Sequence, residues 1–122
     1  MPRTLAAPAR WPDRGATVIQ VGPDPVPGSR RMPLHVVVDP PAGCALMAEE
    51  IFGPILPILP YTDLDAVIAE INAGEKPLAL YIFDRDRDRI ARITQGTTSG
   101  AVGVNLTLVH YTQLNLPFGG VN

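Results

Sequence analysis

Two adjacent carboxylates and an aromatic ring, Glu49, Glu50 and Phe52, stand directly before the turn signal Gly53-Pro54. The apolar run 55–60 follows at once and has the length of a buried strand. Enzymes often place functional side chains in loops at the ends of sheet strands. This context makes Glu50 and Phe52 the first candidates for a site, although an acidic turn before a strand is more often only solvated.

Before this turn, the sequence predicts two strands and one turn of helix. Residues 1–15 contain three prolines and three arginines and predict an irregular lead-in. Runs of β-branched residues predict strands over 16–21 and 34–38, joined by an exposed loop rich in Pro and Gly. Residues 45–49 are compatible with a single helical turn that leads into the pair of carboxylates.

After the turn, apolar segments alternate with helical patterns. Strands are predicted over 55–61, 78–83 and 100–105, with a helix in each interval. Thr62 is the predicted N-cap of the first helix, and Gly74 stands at its C-cap position. Strand–helix–strand repeats with short connections form right-handed parallel crossovers. The predicted fold class is therefore α/β, with a parallel βαβαβ unit.

The ends of these strands carry further signals. Pro57 and Pro60 should place the first of the three strands at an edge or an end of the sheet. Asn105 and the loop behind it leave the C-terminal end of the last strand, where open α/β sheets bind ligands. Residues 106–122 lack a clear period but are rich in apolar side chains, which is typical of a loop that is functional or packs on a neighbour.

Composition limits the class of protein. The chain has 122 residues, of which 46% are hydrophobic, so one folded domain at most is expected. A formal net charge of -2 gives no indication of a nucleic acid or an anionic membrane as partner. Neither a secretory signal nor an apolar run of about 18 residues is present. We predict a cytoplasmic protein without a membrane span and without a metal site.

Three motifs, taken in order, resemble the aldehyde dehydrogenase superfamily. They are Glu-Glu-Ile-Phe-Gly-Pro at 49–54, the segment 71–83 that includes Lys-Pro-Leu-Ala-Leu-Tyr, and Leu-Pro-Phe-Gly-Gly-Val at 116–121. The second motif, and a His a few residues before the third, are typical of the class 3-like and coniferyl aldehyde dehydrogenase branch. The resemblance covers 17–122 and implies that residues 16–122 are the later part of a three-layer catalytic domain, itself incomplete.

The family's reaction suggests roles for individual residues. A cysteine thiolate attacks the aldehyde, hydride passes to NAD or NADP, and water releases the acid from a thioester. By resemblance, Glu50 accepts hydrogen bonds from the ribose hydroxyls beside the nicotinamide, and Phe52 packs near the nicotinamide ring. Phe118 and His110 resemble residues that line the aldehyde pocket. Structural roles are implied for Pro54, Asn105, Gly119 and Gly120.

The resemblance also shows what the chain does not include. The catalytic Cys, the general-base Glu, the oxyanion-side Asn and the dinucleotide-binding domain lie upstream in the family, so no residue here is assigned a catalytic role. The isolated chain is therefore predicted to be inactive, and the complete enzyme to be a homo-oligomer that binds an aldehyde. The sequence departs from the branch at Leu106, where Asp is usual, and at Asn122, where Gly is usual.

Several reactive or charged side chains have plainer interpretations. Cys44, the single cysteine, lies outside any family cysteine motif and is interpreted as an incidental thiol. His110 could act as a base, but a structural or pocket-lining role is favoured. His35 is expected at a surface or a sheet edge, and Glu49 is expected to face outward. The acid–base alternation over 84–89 is interpreted as a solvated face.

Two functions of different class stay open. The chain is either a fragment of an NAD(P)+-dependent aldehyde dehydrogenase or a non-catalytic, stand-alone remnant that binds or pairs with another subunit. The abrupt ending after Phe-Gly-Gly and the apolar surface expected over 106–109 favour the fragment.

Overall fold

The computed structural model of the chain describes residues 15–116 and residue 119. Contacts divide the chain into two compact units, Met1–Pro60 and Tyr61–Asn122. The elements of the described part, in chain order, are β1 (Thr17–Val21), β2 (Leu34–Val38), α1 (Ala45–Ala48), β3 (Ile55–Ile58), α2 (Leu64–Ala73), β4 (Ala79–Ile82), α3 (Arg87–Gly96), β5 (Ala101–Val104) and a 3-10 helix (Val109–Thr112).

The first unit contains a three-stranded sheet in the order β1-β2-β3. β2 is its central strand and runs antiparallel to β1 and parallel to β3. Val37 of β2 is completely buried and forms the core together with Ala16, Leu46 and Ile55. Two β-branched strand residues, Val37 and Ile55, therefore form this core together with Ala16 and with Leu46 of α1.

The second unit contains the parallel pair β4-β5, and α3 is the crossover between them. A parallel pair needs such a connection because its two strands run in the same direction. Asp86 begins α3 by accepting hydrogen bonds from the backbone N–H groups of Asp88 and Arg89. The ends of α2 and α3 are joined by Asn72, whose Nδ2 donates to the carbonyl of Gly96 at 2.7 Å.

The prediction of an α/β fold with parallel strands is confirmed, but the strands form two sheets. β3 pairs with β2 in one sheet, whereas β4 pairs with β5 in the other. The carbonyls of Pro54 and Ile58 face β2, because they accept the N–H groups of His35 and Asp39. The backbone groups of successive strand residues point to opposite sides, so those of Pro57 face away from β2. Pro57 has no N–H to offer there. This explains why β3 is the outer strand of its sheet, as predicted.

Two local predictions need correction. Asp63, not Thr62, is the N-cap of α2, because its carboxylate accepts the N–H of Asp65 at 2.9 Å. His35 is not at a surface or an edge: it is only 6% exposed, and its Nδ1 lies 2.9 Å from the carbonyl of Pro33. The central position of β2, which depends on two partner strands, buries this side chain. The predicted C-cap, Gly74, is confirmed.

The predicted boundary between a lead-in of 1–15 and a domain of 16–122 stays a prediction. Among the helices of the described residues, none has both the length and the apolar character of a membrane span.

Candidate functional site

The loop that carries Glu50 and Phe52 is anchored through its backbone at both ends. At its start, the N–H of Glu49 donates to the carbonyl of Ala45 at 2.9 Å and ends α1. At its far end, the N–H of Ile55 donates to the carbonyl of Gly53 at 2.9 Å, across Pro54. This hydrogen bond closes a three-residue turn, for which the fixed φ of proline is well suited.

The same turn joins the loop to the sheet. The carbonyl of Pro54 accepts the N–H of His35 at 2.9 Å and thereby starts the pairing of β3 with β2. Ile55, the next residue, is buried in the core. The position of the loop therefore depends on a proline carbonyl and a buried isoleucine rather than on its charged side chains.

The side chains of the loop alternate in exposure. Ile51 is partly buried and packs against the core, whereas Glu50 and Phe52 on either side of it are exposed. Phe52 is 83% exposed, and Glu50 has no hydrogen-bond partner among the described residues. An ionised carboxylate accepts up to two hydroxyl groups, and an aromatic ring nearby offers a flat apolar surface. The pair can bind a ligand that has hydroxyls beside a ring.

Asn105 connects the C-terminal ends of β4 and β5. Its N–H donates to the carbonyl of Ile82 at 2.8 Å. Its side-chain Oδ1 accepts the N–H of Asp84 at 3.1 Å, and its Nδ2 donates to the carbonyl of Asp84 at 2.8 Å. Asn105 has a φ of 54°, in the left-handed region that asparagine tolerates better than most residues. The amide thus holds backbone, which is what a loop-positioning role requires.

The carboxylate of Asp84 organises the turn between β4 and α3. It accepts Nε and Nη2 of Arg89 at 2.8 and 2.9 Å, and also the N–H groups of Arg85 and Asp86 at 2.7 and 2.9 Å. The hydrogen bond with Arg89, followed by that from Asp86, holds the pKa of Asp84 well below its usual range. The same hydrogen bond raises the pKa of Arg89. The basic residues of 84–89 are exposed, whereas Asp84 and Asp86 are partly buried, so the segment is a specific hydrogen-bond network and not only a solvated face.

His110 lies in the 3-10 helix, beyond Asn105. Its Nδ1 is 3.5 Å from the hydroxyl of Tyr81, and the two rings are 5.8 Å apart at 44°. The ring of Tyr111 lies 4.1 Å from that of His110, at 34°. The second nitrogen, Nε2, is buried and has no hydrogen-bond partner among the residues that the structure describes. His110 therefore carries a buried nitrogen that forms no hydrogen bond with the described residues.

Of the motif 116–121, the glycine Gly119 is described together with Leu116, whereas Phe118 and Gly120 lie outside the described residues. Gly119 has a φ of 87°, and a Cβ at this position would lie 2.6 Å from the carbonyl oxygen of Gly100. Both the conformation and the close approach require glycine. The geometry agrees with the structural role that the resemblance implies.

The predicted site residues are divided between the two units. Glu50, Phe52 and Pro54 belong to the first, and Asn105, His110 and Gly119 to the second. Cys44 packs against the core of the first unit, as an incidental thiol would. The described residues contain no group of three or more His, Cys, Asp or Glu that could hold a metal ion.

Tyr81, Asp84 and Gly103 were missed as members of the site. A glycine inside a strand does indicate a close approach of another group, so Gly103 carried a usable signal. Nothing local distinguishes Tyr81, because its importance depends on the residues that face it across the sheet.

The chain is similar in sequence to known proteins over most of its length. The profile of the "Aldehyde dehydrogenase family" matches residues 7–122. A Caulobacter vibrioides protein named "Probable coniferyl aldehyde dehydrogenase" is 41% identical over 112 residues, which are 88% of this chain and 23% of that protein. The mouse aldehyde dehydrogenase family 3 member A2 is 46% identical over 86 residues, which are 70% of this chain and 18% of that protein.

A solved structure shows the same similarity. The substrate-bound AldH of Staphylococcus aureus superimposes with a TM-score of 0.71 at 42% identity, over 75% of this chain and 20% of that one. The chain thus spans about a fifth of the length of the proteins it matches. The resemblance to the coniferyl and class 3-like branch is confirmed. The chain belongs to the aldehyde dehydrogenase family.

Proposed function

We propose that this chain is part of an NAD(P)+-dependent dehydrogenase that oxidises an aldehyde to its carboxylic acid. The observation that carries the proposal is the family match, which runs over residues 7–122. An aromatic or fatty aldehyde is the proposed substrate class, supported for the aromatic case by the name of the Caulobacter vibrioides relative. Both NAD and NADP are compatible with the residues present.

We assign the loop before β3 to the nicotinamide end of the cofactor. Glu50 would accept hydrogen bonds from the ribose hydroxyls, and Phe52 would limit the positions open to the nicotinamide ring. The exposure of both side chains and the backbone anchoring of their loop support this role. Pro54 would keep the loop in place through the hydrogen bond that its carbonyl accepts.

We assign the loop after β5 to the aldehyde side. His110 and Phe118 would line the pocket, and the position of His110 in the 3-10 helix after β5 supports its part in this role. Asn105, Gly119 and Gly120 would hold the loop. The contacts of Asn105 with Asp84 and of Gly119 with Gly100 support the first two of these roles.

The nucleophilic thiolate and the general base would come from polypeptide outside these residues. The 122-residue chain by itself should then show no aldehyde oxidation, because a thioester mechanism needs both groups held in place. In the complete enzyme we propose a homo-oligomer located in the cytoplasm.

The test uses a chimaera in which residues 16–122 replace the matching segment of the Caulobacter vibrioides relative. Glu50→Gln keeps the shape of the side chain and removes its charge. Losing charged hydrogen bonds should lower kcat/KM for the nucleotide about 10- to 100-fold and slow hydride transfer. The matched control is Glu49→Gln, the neighbouring carboxylate, which should stay within about two-fold.

Unchanged nucleotide affinity and hydride transfer in Glu50→Gln would show that the assignment of this residue is wrong. A folded chimaera without any dehydrogenase activity would instead favour the non-catalytic binding module.

A further inference from the structure

His35 is the only polar residue that is buried among those that the structure describes, with 6% of its surface exposed. It lies two residues before Val37, so its ring is on the face of β2 that carries the core. A buried imidazole needs a hydrogen-bond partner, and Nδ1 lies 2.9 Å from the carbonyl oxygen of Pro33. A carbonyl can only accept, so Nδ1 carries a proton and donates it.

The pairing of β2 with β3 explains why the carbonyl of Pro33 is open to this ring. The register places His35 opposite Ile55, and the N–H of His35 donates to the carbonyl of Pro54. One step earlier in a parallel ladder, the N–H of residue 54 would donate to the carbonyl of residue 33. Residue 54 is a proline and has no N–H. The ladder therefore lacks a backbone donor at its first position, beside the loop.

We propose that the imidazole of His35 supplies the hydrogen bond that Pro54 cannot donate, and that His35 is thereby a positioning residue for the loop of Glu50 and Phe52. The ring holds the carbonyl of Pro33, and the backbone N–H of the same residue holds the carbonyl of Pro54. Both groups that flank the start of the pairing are thus fixed by one residue. The inference rests on the proposed function, because it takes this loop to bind the nicotinamide end of the cofactor.

The tautomer of His35 provides a test that needs no activity. At alkaline pH, where the ring is neutral, long-range proton–nitrogen NMR spectra of the 122-residue chain should show His35 as the Nδ1–H form. The chain has only one other histidine, His110, so the His35 signals are identified by their loss in His35→Asn. An Nε2–H form would overturn the proposal, because an unprotonated Nδ1 cannot donate to a carbonyl.

Two substitutions separate the hydrogen bond from the bulk of the ring. His35→Asn places an amide N–H at about the position of Nδ1, whereas His35→Leu fills the buried site without a donor. Hydrogen exchange of the backbone N–H groups of residues 35 and 55 should be about two- to ten-fold faster in His35→Leu. In His35→Asn it should stay within about two-fold of the parent chain. Equal exchange in the parent and in His35→Leu would overturn the proposal.

Kinetics of the chimaera extend the test to the cofactor. His35→Leu should raise KM for the nucleotide about two- to ten-fold, the effect of one neutral hydrogen bond, with KM for the aldehyde unchanged. His35→Asn should return the nucleotide KM to within about two-fold of the parent. An equal rise of both KM values in His35→Leu, or of neither, would contradict a role at the nicotinamide loop.

Val18→Ala is the control for a general loss of stability. Val18 packs against the same core from β1, which pairs with β2 on the side away from β3. This variant should lower the unfolding midpoint and leave both KM values unchanged. An equal rise of the nucleotide KM in Val18→Ala and His35→Leu would overturn the proposal. An inactive parent chimaera would refute the proposed function, whereas the tautomer and the exchange rates of the 122-residue chain would still decide the role of His35.

Discussion

The loop before β3 and the loop after β5 are held by different means. The first is fixed through backbone groups, by the turn at Pro54 and its hydrogen bond to His35, while Glu50 and Phe52 project from it. The second also has a backbone hydrogen bond, from the N–H of Asn105 to Ile82, but its further contacts run through side chains, the amide of Asn105 and the imidazole of His110. A loop held by its backbone leaves its side chains available for a ligand. A loop held by side chains has part of its binding geometry set in advance.

This difference has a consequence for mutations. The exposed side chains of the first loop, Glu50 and Phe52, contribute little to folding, so their replacement should affect binding alone. In the second loop the same side chains support the fold and approach the proposed ligand, so their replacement should affect stability as well.

Gly103→Ala is the substitution expected to disturb the second loop most. The new Cβ would meet both the ring of Tyr81 and the backbone of Leu106, and the latter cannot turn aside. We expect a loss of about 1–3 kcal/mol in the free energy of unfolding, measured with urea, and a shift of the His110 NMR signals. The signals of His35, in the first unit, should not move.

Gly74→Ala is the control for this experiment. Its Cβ would lie 3.8 and 3.9 Å from the nearest carbonyl oxygens, an ordinary contact distance. The unfolding free energy should change by less than about 1 kcal/mol. Equal unfolding midpoints for the two variants would contradict the tight seating of Tyr81 on β5.

Asn105→Gly should have the next largest effect. Glycine accepts the φ of 54° but loses both side-chain hydrogen bonds to Asp84, so the change isolates their contribution. We expect Asn105→Gly to lower the free energy of unfolding by about 1–2 kcal/mol. Asn105→Ala should lower it by about 1 kcal/mol more, because alanine is strained in the left-handed conformation.

Glu50→Gln, in the first loop, provides the comparison for Asn105→Gly. Its unfolding free energy should stay within about 0.5 kcal/mol of the parent chain. If the two substitutions destabilised the chain equally, the contrast between a backbone-held and a side-chain-held loop would be wrong.

The smallest expected effect concerns pH. Because the pKa of Asp84 is lowered in the folded state by Arg89 and two N–H groups, its contribution to stability is present above its ordinary pKa. That contribution is lost as the pH falls from about 4 through the lowered folded-state pKa. Thermal unfolding from about pH 6 to about pH 2 should show this loss in the parent chain and less of it in Asp84→Asn.

Glu75→Gln, an exposed carboxylate of the same unit, is the control for the pH series. Its acid destabilisation should follow that of the parent chain. High salt should weaken the Asp84 effect, because the Arg89 side chain is 56% exposed and its charge is screened. A steeper acid loss in Asp84→Asn than in the parent would contradict the direction of the pKa shift.

Patterns of a few residues predicted much of the fold. Runs of β-branched residues marked β1 and β2, apolar runs marked the later strands, and Pro57 marked β3 as an outer strand, because these signals act within the segment itself. The predicted N-cap of α2 was wrong by one residue, because Thr62 and Asp63 are both good caps. Only the folded backbone shows which of the two side chains reaches an N–H group. The prediction that His35 lies at a surface or an edge was wrong because β2 lies between two other strands.

The candidate site likewise has features that the sequence shows and features that only the structure shows. The motifs around Glu50, His110 and Gly119 are visible in the sequence, and they connect the chain to its family. The partners of these residues are not visible, because Tyr81 meets Gly103 and Asn105 meets Asp84 only after β4 and β5 have paired.

The sequence by itself therefore determined the elements, the family and the types of side chain available for chemistry. These depend on local backbone preference and on the identity of short motifs. The tertiary structure alone decided which strand is central and how each loop is held. It also decided which nitrogen of His110 has no hydrogen-bond partner among the described residues. Those properties arise from contacts between residues far apart in the chain, which no local pattern encodes.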